Sequence, residues 1–428
     1  MHVSIVNDAA PSMMARSKIR LFLLLLGILL LGLIDVQIIS PLLPALAEAF
    51  SVSAAVMGTA VSAYAITAAL WALLIGPLSD QFGRVMFLRL AAWIFASAAI
   101  ATYLAVRFEH FVVARVLAGL AGGTISAGVI AQVADLFEYE FRGRAMGWLS
   151  AVYFIAAVIA VPLGAWITGL WGWRVLYLLL AVPAIALGIF LQPTLLPVAS
   201  QNSPKTNPVA LTIDKPTLST TALWRHMQNY PRYFGKKLPF WGLLLALSVS
   251  ATVAGVVTYL GLWLASDFAM SVSTIGLVFM VTGGASVVGA LSGGWVADWM
   301  GKRHVIAFSS LGLAILFLFI SIVQTRLGVF LFCAAGGLAM ALREGPLQAL
   351  ISELVPATER GAYIALRNAT SQFAIAATAT ICGLLFERFG FHAVAYFAAG
   401  WSVLASAIVL RIVEPTTHIA TSVHLCKF

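Results

Sequence analysis

This chain has few charged residues and few cysteines, and both shortages narrow what it can be. Only 10% of its 428 residues are charged, against roughly 25% in soluble proteins, which excludes a soluble globular fold. Its three cysteines form no C-x-x-C pair, so neither a metal site nor a disulfide framework is predicted. The seven histidines fall in loops, tails or helix ends, which leaves carboxylates for any proton chemistry within apolar segments.

The usual signals of enzyme chemistry are also missing. No nucleophile–base pair, metal-ligand spacing or phosphate-binding glycine loop occurs in the sequence. We therefore predict a protein that is not an enzyme and that uses no cofactor. The net charge of +9 comes without any nucleic-acid-binding motif, so we predict no nucleic-acid partner.

What the sequence does have is long apolar runs. Hydrophobic residues make up 61% of the chain, in runs of about 20, the length with which a helix crosses a bilayer. We count twelve such runs, with rough limits at 19–47, 54–76, 85–106, 109–134, 144–170, 174–193, 238–265, 272–296, 304–325, 328–352, 361–386 and 392–412. The sequence therefore predicts an all-α membrane protein with twelve transmembrane helices in a lipid bilayer.

One polar stretch divides the runs into six and six. Residues 194–237 are rich in Pro, Ser, Thr and Asn, as flexible linkers are. The predicted organisation is a tail at 1–18, a bundle at 19–193, this linker, a bundle at 238–412 and a tail at 413–428. Most of the 25 Lys and Arg fall in the tails, the linker and the loops on the same side. This bias places both termini in the cytoplasm, with the helices in the cell membrane.

A polar motif occurs twice at a fixed distance. It reads GPLSDQFGR at 76–84 and GWVADWMGKR at 294–303. The shared residues, each recurring 218 positions later (76 to 294), are Gly76, Asp80, Gly83 and Arg84, and Gly294, Asp298, Gly301 and Lys302. The same offset relates Asp135 to Glu353 and Arg142 to Arg360. It predicts a six-helix unit written twice in parallel topology, with a substrate site between the halves. The first run, taken alone, would also fit a signal peptide, but it has a counterpart at 239–265.

These motifs resemble those of a known family. The doubled motif is similar to the loop 2–3 signature of the major facilitator superfamily, with Val85 in place of the last basic residue of the first copy. RVLAGLAGG at 115–123 resembles the helix 4 motif of the drug/proton antiporters. AVPLGA at 160–165 resembles their helix 5 motif only in part, through Pro162 and Gly164. The resemblance implies the two-bundle major facilitator fold, alternating access and a monomeric transporter.

For the doubled motif the resemblance implies a cytoplasmic gate. Each carboxylate would contact the start of a helix in the opposite half, where the positive end of the helix dipole stabilises it. The participants would be the carboxylates Asp80 and Asp298, with Arg142, Arg144 and Arg360 as their ion partners. These contacts would hold the inner gate shut in one state and release it in the other. Gly76 and Gly294 would let helix ends approach closely. The alternative is that these charges only fix topology and solvation.

Several polar residues fall inside apolar runs, where an ionisable side chain costs roughly 2.5–3.5 kcal/mol and is a candidate for function. They are Asp35, Gln37, Arg115, Arg343, Glu344, Arg367 and Asn368. Asp35 and Glu344 are the candidate proton carriers, because burial favours a protonated carboxyl. The resemblance makes Arg115 the residue that tunes a nearby carboxylate. Arg343 and Glu344 lie about 100° apart on a helix, so we expect one to face the cavity and the other a neighbouring helix.

Each of these assignments has a structural alternative. Asp35 and Arg115 can form a purely structural ion pair, and Arg115 can instead reach the membrane interface. Arg343 and Glu344 can pair across helices, and Arg367 can reach the cytoplasmic surface. Three deep arginines against two deep acids leave room for anionic or zwitterionic substrates.

The sequence as a whole predicts a secondary active transporter of a small organic molecule, and within that class proton-coupled efflux. The rival within transport is proton-coupled uptake of a small, anionic metabolite, which the incomplete helix 5 motif keeps open. A rival of another class is a non-transporting membrane sensor on the same scaffold. The expected partners are the substrate, protons and the lipid bilayer.

Overall fold

A computed structural model describes residues 9–137, 139–192, 230–356 and 359–412, with side chains from residue 17 onward except at 76–77, 80–81, 139–140 and 142–143. Helices make up almost all of these residues, and no strand occurs among them. The first six helices are α1 (Ala9–Phe50), α2 (Ala54–Phe82), α3 (Arg84–Tyr103), α4 (Phe108–Leu136), α5 (Tyr139–Ile155, a π-helical turn Ala156–Ala160, then Val161–Trp171) and α6 (Trp173–Phe190). A short helix, Pro231–Gly235, leads into α7 (Lys237–Phe268), α8 (Val272–Met300), α9 (Lys302–Leu318), α10 (Arg326–Glu353), α11 (Arg360–Phe389) and α12 (Phe391–Arg411).

Each of the twelve predicted runs corresponds to one helix. Eleven helices of the described residues are long and apolar enough to cross a membrane. The remaining one, α9, has 17 residues, about 25 Å at 1.5 Å per residue, and a 3-10 turn at Ile320–Ile322 extends it. The all-α membrane fold is confirmed. The helix α1 begins at Ala9, inside the predicted tail, and most of the predicted linker and the second tail lie outside the described residues.

The backbone repeats with the same offset as the sequence. All six described residues with positive φ fall into pairs 218 positions apart: Ser51 and Ala269 (both φ 51°), Gly83 and Gly301 (98° and 85°), and Gly172 and Gly390 (83° and 74°). Both halves also begin their second helix alike, with the hydroxyl of Ser53 or Ser271 accepting from the backbone N–H three residues later. The predicted repeat is therefore present in the local conformation of the chain.

Gly83 makes the turn between α2 and α3 possible. Its φ of 98° and ψ of 124° lie in a region that costs a residue with a side chain of order 1–3 kcal/mol. No atom lies within 4 Å of where a Cβ would stand, so the cost comes from the backbone alone.

We expect Gly83→Ala to lower the free energy of unfolding by about 1–3 kcal/mol, measured by thermal unfolding of the purified protein. Gly312→Ala is the control, because it has equal space within regular helix. Equal stability of Gly83→Ala and wild type would contradict this account.

The glycines of the helix 4 motif bring α4 against α2. A Cβ on Gly119 would stand 2.5 Å from the carbonyl oxygen of Tyr64. In the second half, a Cβ on Gly337 would stand 2.5 Å from the carbonyl oxygen of Thr282. These residues are again 218 positions apart (119 to 337, and 64 to 282). Small residues let backbones approach in a membrane, so this motif is first of all a packing device in both halves.

The helix 5 motif follows a π-helical turn within α5. Pro162 lacks the N–H that a helix uses at that point, and the π-helical turn at Ala156–Ala160 ends two residues before it, as such turns occur where the helical ladder is interrupted. A Cβ on Gly164 would stand 2.9 Å from the Ile38 side chain of α1. A Cβ on Gly276 of α8 would stand 2.7 Å from that of Ala165. The motif thus shapes the contact of α5 with α1 and α8.

The halves meet through α1 with α7, α2 with α11, and α5 with α8. We call the side with the turns at Ser51 and Ala269 the distal face, and the side with the turns at Gly83 and Gly301 the motif face. Toward the distal face, α2 and α11 are in close contact. A Cβ on Gly58 would stand only 2.7 Å from the carbonyl oxygen of Ala379, so no side chain fits between them. Toward the motif face, three glycines of α5, α8 and α11 have no atom within 4 Å of the Cβ position: Gly147, Gly294 and Gly361. The halves pack closely at the distal face and loosely at the motif face.

Candidate functional site

A cavity of about 410 Å³ lies between the two halves, within the range of roughly 300–1,000 Å³ that suits small ligands. About half of its lining side chains are apolar. The polar ones come from both halves and are Asp35, Gln37, Ser40, Tyr64, Arg115, Ser250, Thr258, Glu344, Arg367, Ser371 and Gln372. A shallow groove of about 440 Å³ along Ile19–Leu24 of α1 has only one polar side chain, Arg20. The central cavity is therefore the candidate substrate site.

In the first half, Asp35 of α1 forms an ion pair with Arg115 of α4. One terminal nitrogen of the guanidinium lies 3.0 Å from each carboxylate oxygen, and each residue is 2% exposed. A second nitrogen donates to the Thr102 hydroxyl at 3.4 Å. The guanidinium also lies 5.4 Å from the ring centres of Phe111 and Tyr177. The pair keeps both charges compensated, and losing the charge on Asp35 would remove the carboxylate to which Arg115 donates.

In the second half, the structure separates Arg343 from Glu344. Arg343 is 1% exposed and donates to the Ser310 hydroxyl of α9 at 2.8 Å, so it lies outside the cavity lining. Glu344 lines the cavity, its side chain is 51% exposed, and its carboxylate accepts from the Gln348 amide at 2.8 Å. As predicted, one of the two residues faces the cavity and the other a neighbouring helix. Arg343 was also predicted to line the cavity, and this is wrong, because its face of α10 packs on α9.

Arg367 of α11 stands opposite Glu344. One terminal nitrogen of its guanidinium is 3.8 Å from a Glu344 oxygen, too long for a hydrogen bond. The other donates to the side-chain oxygens of Gln348 at 3.3 Å and Asn368 at 3.1 Å. The Arg367 side chain is only 11% exposed. Asn368 lies outside the cavity lining, and its side-chain oxygen accepts a hydrogen bond from Arg367.

These positions revise the balance of charge that the sequence suggested. With Arg343 outside, the described cavity has two guanidinium groups and two carboxylates. Asp35 and Arg115 each have a side chain that is 3% exposed, and Arg367 is covered as well. The side chain of Glu344 is half exposed and pairs with Arg367 only at 3.8 Å, so it is the most accessible charged group of the described cavity.

The basic residues of the doubled motif pair within their own halves. Arg84 lies 2.6 Å from Asp135 of α4, and Lys302 lies 2.5 Å from Glu353 of α10. Both pairs join positions 51 residues apart, so the repeat extends to side-chain contacts. They tie the loop after the second helix to the end of the fourth helix in each half.

The predicted gate between the halves is not formed by its described members. Asp298 and Arg360 are exposed and make no ion pair among the residues whose side chains are described. Gly294 has no close neighbour in this conformation, because the halves pack loosely at the motif face. The close approach at Gly294 in the closed state stays a prediction. Gly76, Asp80 and Arg142 lie outside the residues whose side chains are described. One contact between the halves there joins the Tyr230 hydroxyl to the carbonyl oxygen of Leu73 at 3.5 Å.

At the distal face, hydrogen bonds join α2 and α7 to α11. The Ser62 hydroxyl donates to the carbonyl oxygen of Ala376 at 2.6 Å. The Tyr259 hydroxyl donates to that of Ala379 at 2.6 Å. A Glu387 oxygen accepts from the backbone N–H of Ala55 at 2.9 Å, at the start of α2. These contacts close the cavity at the distal face. The sequence did not predict them, because each involves a single residue without a motif around it.

Sequence reasoning also missed Gln348 and Ser371. Each lies four residues after a charged residue of the cavity, Gln348 after Glu344 and Ser371 after Arg367. Residues four apart share a helix face, so this spacing is the signal that would have found them.

A model of the Major Facilitator Superfamily matches residues 25–266 and 243–423. The chain therefore belongs to the major facilitator superfamily, whose members are secondary transporters rather than enzymes.

Individual relatives agree with this assignment. The chain is 25% identical to the MFS-type transporter YceJ of Bacillus subtilis over 362 residues, 82% of this chain and 86% of that protein. It is 36% identical to the MFS-type transporter YwfA of the same organism over 137 residues, which is only 33% of that protein. The fold is similar to the crystal structure of a D-xylose–proton symporter, with a TM-score of 0.71 and 19% identity over 92% of this chain and 97% of that one.

Proposed function

We propose that this transporter exports small amphipathic cations in exchange for protons. The observation that carries the proposal is Glu344, whose ion pair with Arg367 is long, at 3.8 Å, and whose side chain is half exposed, whereas those of Asp35 and Arg115 are covered. A cation that enters from the motif face meets this charge, and the apolar part of the lining takes up its hydrophobic portion. The excess of basic residues on the motif face supports a cytoplasmic position for that face.

Competition at one carboxylate would couple the two flows. A cation bound to Glu344 is released when a proton takes its place, because a neutral carboxyl no longer attracts it. Protons enter from the side of the membrane where they are more concentrated. The cation is therefore released on that side, once the distal face opens. Asp35 is a second carboxylate that can take up a proton. Its neutralisation would release Arg115 from the ion pair and so allow the packing between α1 and α4 to change.

A test follows from this competition. We expect binding of benzyltrimethylammonium, which has no proton of its own to lose, to release protons from the purified wild-type protein in weakly buffered acidic solution. Glu344→Gln should abolish the release and weaken binding about 10-fold or more, since a charged contact contributes about 1.5–3 kcal/mol. Proton release is followed with a pH-sensitive dye and binding by equilibrium dialysis.

Glu109→Gln is the matched control, because Glu109 is an exposed carboxylate that pairs with Arg107 outside the cavity. It should behave as wild type. Cation binding without proton release, at every pH at which the protein is folded, would refute the exchange mechanism.

A second candidate is proton-coupled uptake of a small organic anion, and the Asp35–Arg115 pair favours it. Protonation of Asp35 would free Arg115 to bind a carboxylate, so proton and anion would bind together. The chain is similar to relatives with names of both kinds, Multidrug resistance protein 1 (23% identity over 69% of this chain) and the Hexuronate transporter (22% over 92%), both of Bacillus subtilis. In this case glucuronate binding would take up protons, and Asp35→Asn would abolish the uptake.

A further inference from the structure

Gln348 of α10 lies between the two charged groups of the second half. Its amide nitrogen donates to a carboxylate oxygen of Glu344 at 2.8 Å. Its amide oxygen accepts from a terminal nitrogen of Arg367 at 3.3 Å. Glu344 and Arg367 approach each other only to 3.8 Å, which is too long for a hydrogen bond. A neutral side chain therefore bonds to both charged groups, while the two make no hydrogen bond to each other.

A direct pair of Glu344 and Arg367 is geometrically within reach. The carboxylate oxygen that accepts from Gln348 is also the one that lies 3.8 Å from Arg367. Charge-assisted N–H···O bonds are about 2.7–2.9 Å long, and a guanidinium can bind a carboxylate through two of them, so a shift of about 1 Å would form the pair. The half-exposed position of Glu344 leaves room for this shift. No other carboxylate pairs with Arg367 among the residues whose side chains are described.

Direct pairing would change what Glu344 can bind. A nearby opposite charge favours the ionised form of a carboxyl group, so a paired Glu344 would hold a proton less tightly. It would also attract a cation less, because the guanidinium compensates its charge and occupies its oxygens. Two other ionisable groups interact with Glu344, namely Arg343, on the face of α10 that packs on α9, and Tyr153 of α5. Neither makes a hydrogen bond to it in the described part of the chain, so Arg367 is the group that matters most.

We propose that Gln348 is a positioning residue, which holds Glu344 away from Arg367 and so keeps its carboxylate available to a proton or a cation. This inference rests on the proposed function, because it concerns the carboxylate at which the two compete. An amide suits this place because it donates to the carboxylate and accepts from the guanidinium at the same time. A hydrocarbon side chain can do neither, and a carboxylate can do only the second.

Two substitutions at Gln348 should act in opposite directions. Benzyltrimethylammonium is added to the purified protein over a range of pH, and the measured quantity is the highest pH at which its binding still releases half a proton per cation. Gln348→Leu leaves Glu344 to pair with Arg367 and should lower this limit by about one pH unit. Gln348→Glu places a second carboxylate beside Glu344 and should raise the limit by about one pH unit. Because Gln348 is exposed, both variants should fold.

A second measurement tests whether Arg367 is the cause. In the Arg367→Gln background, Gln348→Leu should no longer lower the limit, because no guanidinium is left to pair with Glu344. Ser352→Ala is the matched control, one turn further along the same face of α10. Its hydroxyl donates to the carbonyl oxygen of Ala349 at 2.8 Å and lies outside the cavity lining. This control should leave the limit unchanged.

An unchanged limit in both Gln348 variants, or an equal fall in Gln348→Leu with and without Arg367, would overturn the positioning role. So would a rise of the limit in Gln348→Leu, since Gln348 would then support the ion pair rather than prevent it. In each of these cases, proton release by the wild-type protein would leave the proposed function standing. If the wild-type protein releases no proton at any pH at which it is folded, the proposed function and this inference fail together.

Discussion

Asp35→Asn is expected to abolish proton coupling and to lower the free energy of unfolding by about 3–5 kcal/mol, the usual effect of removing one partner of a buried ion pair. The loss is large because Arg115 is 2% exposed and, apart from the long contact with Thr102, its described hydrogen bonds go to Asp35. Asparagine keeps the size of the side chain and removes its charge. The buried guanidinium then has only neutral partners, namely the amide oxygen of the new side chain, two aromatic rings and one hydroxyl, so its charge is uncompensated.

A double-variant cycle separates stability from coupling. Asp35→Asn, Arg115→Gln and the combination are compared by thermal unfolding of purified protein and by proton-driven transport in liposomes. The combination should recover part of the stability, because no buried charge is left, and should still lack coupling. Asp267→Asn is the control, an exposed carboxylate at the end of α7 that accepts from Ser266. Normal coupling in Asp35→Asn would remove this residue from the mechanism, whatever its stability.

Gly261→Leu is expected to shift the transporter from the conformation described here toward one that is open at the distal face. A Cβ on Gly261 would stand 2.8 Å from the carbonyl carbon of Ser40 in α1, and closer still to its oxygen. Backbone atoms cannot yield as a side chain can, so a larger residue has to separate α1 from α7. Overpacking costs typically about 1–3 kcal/mol, which corresponds to a change of about 5- to 150-fold in the ratio of the two conformations.

The shift is measured as a distance across the motif face. Spin labels replace Trp148 of α5 and Trp299 of α8, which are 60% and 80% exposed. Cys333 and Cys382 are buried, and Cys426 is changed to serine. We expect the population with the shorter label distance to grow in Gly261→Leu. Gly400→Leu on α12, where nothing lies within 4 Å of the Cβ position, should leave the distribution unchanged. An unaltered distribution in Gly261→Leu would show that this contact does not hold the conformation.

The sequence by itself determined the helices, the twofold repeat and the turns. Twelve apolar runs became twelve helices, because a backbone in lipid has to satisfy its own hydrogen bonds. The 218-residue register reappeared in the positive-φ pairs, such as Gly83 and Gly301, and in the pairs Arg84–Asp135 and Lys302–Glu353. These features depend on local chemistry or on a repeated pattern, and both can be seen along the chain.

Only the tertiary structure decided which polar residues share the cavity. It placed Glu344 in the cavity and Arg343 against α9, left Gly294 without a close neighbour and brought Glu387 to the start of α2. Spacing along a helix fixes the angle between two side chains, about 100° for adjacent residues. It does not fix how the whole helix is rotated, because that rotation depends on the small residues and ridges of the neighbouring helices.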